Sequence, residues 1–251
     1  MIAAWRDVLL AAAGALAGIV GTAGGITSLI SYPALLWAGI PVLQANIANT
    51  VAIVACWPGS AAASRPELQG QGPWLRRWTV VAVAGGTAGS MLLLATPAGV
   101  FGAVVPFLIT AGSLALLLQP RVSAGSREAG HGRARLLLPC AVAALSVYNG
   151  YFGAGTGVML LSLMLLAVDS QLARANALKN MLVGASSIAA AVTFAVLAKV
   201  NWAVVAPLAA GMLAGSAIGP RIARRMPPAL LRWLVALGGL GFAVRLWVTG
   251  G

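Results

Sequence analysis

Two apolar stretches of this chain, residues 8–38 and 136–168, are too long to cross a bilayer once, and both carry the same glycine pattern near their middle. As continuous helix each would exceed about 45 Å, against a hydrocarbon core of about 30 Å. The pattern is Gly18-x-x-Gly21-x-x-x-Gly25 in the first stretch. It recurs 132 residues later as Gly150-x-x-Gly153-x-x-x-Gly157. Glycine costs about 1 kcal/mol in a helix interior and admits positive φ. Each long stretch is therefore expected to break into two half-helices, or into a span plus a re-entrant piece. Paired broken helices at matching positions of two halves are how membrane transporters build a substrate site.

The remaining apolar stretches run over 43–63, 78–95, 98–118, 175–198, 202–220 and 228–248. Only 8% of the 251 residues are charged and 60% are hydrophobic, whereas a soluble domain carries about 25% charge. No series of alternating segments of about 10 residues suggests a β-barrel. The expected fold class is all-α: a polytopic membrane protein of about eight transmembrane segments in two homologous four-segment repeats, with the first segment of each repeat broken at glycines. The halves share a second signal, since Trp78 leads into Ala88-Gly89-Ser90 and Trp202 into Ala214-Gly215-Ser216. Residues 1–118 are expected as the first repeat, 119–135 as a cytoplasmic linker and 136–251 as the second repeat.

The net charge of +12 points to membrane orientation rather than to nucleic acid, because the arginines sit mostly in short loops between apolar stretches. The two long loops are Ser64–Arg77 and Gln119–Arg135, both expected in the cytoplasm; the side of the N-terminus stays open. His131 is expected as a solvated loop residue. Cys56 and Cys140 are expected as small buried apolar residues rather than a disulfide or metal site. The tryptophans mostly flank segment ends, as an interfacial belt does. Asp7 and the length of the first apolar run argue against a cleaved signal peptide. The stripe Gly211-x-x-x-Gly215-x-x-x-Gly219 is expected to be a helix-packing face.

Around the breaks lie Gly21, Thr22, Gly24, Gly25, Thr27 and Ser28 in the first stretch, and Gly153, Gly155, Thr156 and Gly157 in the second. Non-helical backbone at membrane depth persists only when buried in protein or lining a wet cavity. A helix that starts there aims unpaired N–H groups and a partial positive charge at the cavity, which suits an anion, and Thr22 and Thr156 can add hydroxyl donors. The alternative is that the glycines only allow close packing. Asparagines follow each break: Asn46 and Asn49, then Asn176 and Asn180. Their spacings of three and four put each pair on one helix face. Capping or interhelical hydrogen bonding is the plain alternative role for them. Lys179 lies deeper in its segment than Arg174, which can snorkel, and is the better candidate to attract an anion.

The carboxylates number four, Asp7, Glu67, Glu128 and Asp169, all at segment ends or in loops. A carboxylate proton relay has no evident carrier. A hydrolase lacks its base, and no P-loop is present for ATP. No enzyme activity, cofactor or metal is expected.

The run Ala45-Asn46-Ile47-Ala48-Asn49-Thr50-Val51-Ala52, continuing to Trp57-Pro58-Gly59-Ser60, resembles the first repeat of the TauE/SafE sulfite-exporter family, also called the toluene-sulfonate uptake permease family. Asn149 to Gly157, Asn176 to Asn180, and Ala223-Arg224-Arg225-Met226-Pro227-Pro228 resemble it too. The resemblance covers nearly the whole chain. It implies a bacterial inner-membrane permease of seven to nine spans, built by duplication of a four-span unit. Members are associated with sulfite, sulfonates, sulfoacetate and related organosulfur anions. The segment Gly21-Thr22-Ala23-Gly24-Gly25 departs from the family, which commonly has a longer glycine run there.

These readings converge on a secondary carrier of a small anion held between the breaks. The candidate site comprises Gly21, Thr22, Gly24, Gly25, Asn46, Asn49, Gly153, Gly155, Thr156, Gly157, Asn176, Lys179 and Asn180. The expected partners are the anionic substrate and the lipid bilayer, and a homo-oligomer is compatible. A non-transporting assembly subunit and an anion channel are the alternatives.

Overall fold

The computed structural model describes residues 2–125 and 132–223, with scattered positions between 233 and 244. Within them the chain is all-helical, with no strand. In order come α1 (Ile2–Gly24), α2 (Ser28–Trp37), α3 (Val42–Ile53), a 3-10 turn (Val54–Cys56), α4 (Trp57–Ala63), α5 (Gly72–Ala95), α6 (Ala98–Gly125), α7 (Gly132–Tyr151), α8 (Thr156–Ala167), α9 (Leu172–Leu197) and α10 (Trp202–Ala223). Four of the described helices are long and apolar enough to cross a membrane, over Trp5–Thr22, Gly72–Ala95, Ala98–Leu118 and Leu172–Leu197; α2, α7, α8 and α10 are shorter apolar helices. Val80, Leu136 and Val196 point outward, each at least two-thirds exposed. Such an apolar exterior fits lipid rather than water.

Several loop and segment expectations need correcting. The apolar run 43–63 is two helices parted by the 3-10 turn, with Pro58 in the first turn of α4. Arg76 and Arg77 belong to α5 rather than to a loop. Pro73 sits in the first turn and starts that helix early, as its fixed φ favours. Helices α6 and α7 reach into both ends of 119–135; Glu128 and His131 lie outside the described residues, as does most of 228–248. Trp78 is buried rather than interfacial, and Cys140 is exposed.

Small residues set the helix packing. A Cβ on Gly211 or Gly215 of α10 would run into the carbonyls of Ala11 and Ala15 on α1. The same contact occurs between α5 and α7, where Gly85 meets Ala143 and Val147, and Gly89 meets the Val147 carbonyl. Ala143 and Val147 stand 132 residues after Ala11 and Ala15, and Gly85 and Gly89 stand 126 before Gly211 and Gly215. One interface is thus made twice, with the halves of the chain exchanging roles. Without a hydrophobic drive between helices in lipid, such close backbone approach supplies the packing energy.

Candidate functional site

Helix α1 ends at Gly24, and Gly25 takes a left-handed φ of 73° before α2 starts at Ser28. Helix α7 ends at Tyr151; Gly153 and Gly155 take φ of 80° and 78° before α8 starts at Thr156. The first break touches the start of α8. A Cβ on Gly25 would lie 2.7 Å from the Gly157 carbonyl carbon, and one on Gly157 would lie 2.6 Å from Gly25 Cα. The second break is braced by aromatic edges: Phe152 meets Tyr32 at 5.2 Å and Phe101 at 6.0 Å between ring centres, a favourable geometry. Gly155 packs against Gly112 of α6.

Beside this contact lies a cavity of about 70 Å³, several times the 10–15 Å³ or so that one water needs. Helix α1 contributes Gly21 and Thr22, and α3 with the turn beyond it contributes Thr50, Ile53, Val54 and Trp57. Helix α9 contributes Lys179, then Asn180, Val183, Gly184 and Ser187. The spacings 50, 53, 54, 57 and 180, 183, 184, 187 are single helix faces. Gly25, Thr27 and Ser28 line it from the first break, Gly153 and Gly157 from the second, and Asn149 from α7.

Neither half-helix is capped by a side chain at its N-terminus, where Thr27 precedes α2 and Gly155 precedes α8. The next N–H groups of both helices donate to backbone carbonyls, as Leu29 does to Ile26 and Val158 to Gly155, which leaves the Ser28 and Gly157 N–H groups without an acceptor among the described residues. Lys179 lies along the wall at 1% exposure, with no carboxylate or hydrogen-bond partner for its amino group among the described residues. Asp169, the carboxylate closest to it in sequence, is engaged with Arg174 at 3.5 Å. A buried cation without a counter-charge is costly. An anion about 4 Å away would offset that cost by about 4 kcal/mol at an effective dielectric near 20.

The sequence candidates divide sharply. Gly21, Thr22, Gly25, Gly153, Gly157, Lys179 and Asn180 line the cavity. Thr22 does not offer the hydroxyl donor expected of it, because its Oγ1 donates to the Gly18 and Ile19 carbonyls at 3.0 and 3.2 Å. Gly24 closes α1. Asn46, Asn49, Gly155, Thr156 and Asn176 are not among the lining residues. Asn46 donates to the Tyr151 carbonyl at 2.8 Å, satisfying an orphan group at the end of α7. Asn49 donates to Ser28 Oγ at 3.2 Å and accepts from Ser31 Oγ, tying α3 to α2. Thr156 Oγ1 and Asn176 Oδ1 are buried without a partner.

Asn180 faces the cavity for a reason visible in the chain. Counting 132 residues on from Ser28 and Ser31 of α2 reaches Leu160 and Leu163 of α8. The α8 hydroxyls stand elsewhere, at Thr156 and Ser162, and Asn180 lines the cavity with no side-chain partner among the described residues. Sequence reasoning missed Asn149, Thr50, Trp57 and Ser187. The signal for Ser187 was its place two turns beyond Asn180 on the same face of α9.

An all-helical chain with four helices of membrane length and composition has the architecture of a polytopic membrane protein. The family model described as sulfite exporter TauE/SafE matches residues 10–246, and the chain belongs to that family. It is 27% identical to a probable membrane transporter protein of Sinorhizobium sp, over 92% of this chain and 88% of that one. It is 26% identical to a probable membrane transporter protein of Haemophilus influenzae, over 91% and 89% respectively. Identity to the probable membrane transporter protein YfcA of Escherichia coli is 26%, over 88% and 82%. No solved structure matches the chain.

Proposed function

We propose that this chain is a secondary carrier that moves a small anion, sulfite or a related organosulfur anion, across a bacterial inner membrane. The observation that carries the reading is the cavity beside the helix breaks, where Lys179 has no carboxylate partner. Uncapped N-termini of α2 and α8 and the Asn180 amide supplement that charge. Two four-segment repeats account for the twice-made interface of α1 with α10 and α7 with α5, and for the meeting of Gly25 with Gly157. The 119–135 region is then the cytoplasmic linker between the repeats. The cavity's size favours an anion of a few heavy atoms. Export needs no carboxylate relay, because the membrane potential supplies about 2.3 kcal/mol per charge per 100 mV.

Inverted membrane vesicles containing the protein test this. With the vesicle interior held positive, radiolabelled sulfite should accumulate faster than in vesicles lacking the protein, and the rate should saturate. Uptake equal to the control for sulfite and for small sulfonates would refute the reading.

A further inference from the structure

Two serine hydroxyls on the cavity wall each accept a hydrogen bond from a buried asparagine amide. Ser28 of α2 is 5% exposed, and its Oγ accepts a hydrogen bond from Asn49 Nδ2 at 3.2 Å. Ser187 of α9 is 4% exposed, and its Oγ accepts one from Asn149 Nδ2 at 3.0 Å. Both line the cavity. Neither hydroxyl hydrogen has an acceptor among the described residues. Thr22 donates instead to the Gly18 carbonyl and Ser186 to the Ser146 carbonyl at 3.2 Å, while the other cavity hydroxyls, of Thr27, Thr50 and Ser60, receive no amide N–H among the described residues.

A hydroxyl has one hydrogen to give and two lone pairs to receive. When an amide N–H occupies a lone pair, the hydroxyl is polarised, and its hydrogen is directed away from that amide. Asn49 and Asn149 are themselves buried, at 1% and 5% exposure, and each is fixed by a second bond. Asn49 accepts from Ser31, and Asn149 also donates to Ser186 at 3.1 Å. The two asparagines therefore leave the Ser28 and Ser187 hydrogens with the cavity as their outlet. Such an arrangement serves a ligand that only accepts hydrogen bonds, which describes an oxyanion.

We propose that Ser28 and Ser187 are specificity-determining donors to the transported anion, each aimed by a buried asparagine, Asn49 and Asn149 respectively. The two are not equivalent positions of the halves; one reaches the cavity from α2 and the other from α9. This rests on the anion-carrier reading and adds how the site chooses an oxyanion. Asn49 is a positioning residue behind the cavity wall, whereas Asn149 positions Ser187 and itself lines the cavity.

The test is binding of 35S-labelled sulfite to detergent-purified full-length protein, together with uptake into inverted vesicles. Ser28→Ala and Ser187→Ala should each weaken binding about tenfold or more, because a hydrogen bond to a charged group is stronger than one between neutral groups. Ser28→Thr and Ser187→Thr, which keep the hydroxyl, should stay within about threefold of wild type on the same ground. Asn149→Ala should add little to Ser187→Ala in the double variant if Asn149 acts through Ser187, whereas additive losses would refute its positioning role. An alanine variant that elutes aggregated is replaced by the near-isosteric Cys, a weak donor expected to lose affinity likewise. If wild type binds sulfite and the alanine and cysteine variants bind equally well, the proposal is wrong while the carrier reading stands. If wild type neither binds nor transports sulfite or small sulfonates, both fall.

Discussion

The contact between Gly25 and Gly157 makes a graded prediction. A methyl group on Gly157 would lie 2.6 Å from Gly25 Cα and from its carbonyl oxygen, about 1 Å inside the best carbon–carbon separation. Both neighbours are backbone, so relief requires the first break and α8 to move apart. Overpacking of this kind costs about 1–3 kcal/mol. Gly25→Ala meets the same obstacle from the other side and adds a second one, because its φ of 73° costs an L-residue about 1–2 kcal/mol. Gly25→Ala should thus destabilise by about 2–5 kcal/mol and Gly157→Ala by about 1–3. Two controls separate the causes. Gly70 has φ of 78° with nothing within 4 Å, so Gly70→Ala should show the conformational cost alone, about 1–2 kcal/mol. Gly102, inside α6, has open space around it, and Gly102→Ala should gain up to about 1 kcal/mol. Unfolding by SDS in mixed micelles, followed by tryptophan fluorescence, gives the order. The reasoning is refuted if Gly157→Ala matches wild type, or if Gly25→Ala loses no more than Gly70→Ala.

Lys179→Met should abolish saturable sulfite uptake while raising the stability of the empty protein, since it removes an uncompensated buried charge; unchanged uptake would exclude Lys179 from the site. Asn49→Ala should cost about 1–3 kcal/mol in the same unfolding assay, because Ser28 and Ser31 lose their buried partner. Asn180→Ala should cost less than about 0.5 kcal/mol yet weaken sulfite binding, and equal stability losses for the two asparagines would contradict their assigned roles. Asp169→Asn breaks a pair whose arginine is 48% exposed. It should change stability by less than about 1 kcal/mol, an effect that shrinks further in high salt.

The all-helical class was legible because lipid leaves long apolar segments little choice but helix. The interruption at 54–56 was partly legible: Val54, Ala55 and Cys56 are as apolar as their neighbours, and the signal was Pro58, which cannot donate to the Val54 carbonyl. The site was half legible. Glycine positions follow from backbone conformation, which is local. The direction of an amide depends on what the facing helix offers, which is not local. Asn49 and Asn180 look alike in sequence, yet one ties two helices together and the other faces the cavity. The misreading of Thr22 was avoidable, since threonine within a helix commonly returns its hydroxyl to a carbonyl one turn back.

The backbone contacts recur across the halves, but the chemistry does not. Counting back from the second asparagine pair, Asn180 corresponds to Asn49 and Lys179 to Ala48. The cavity therefore has a lysine on the α9 side alone. Two matching lysines would face each other across a space of about 70 Å³, and with an effective dielectric near 20 their repulsion would cost several kcal/mol at close range. On the proposed carrier reading, one lysine holds a single anion without the charge that would make release slow, and the first half uses its asparagine to orient Ser28. A matched frame with unmatched side chains then suits a ligand that carries little charge and offers only acceptors.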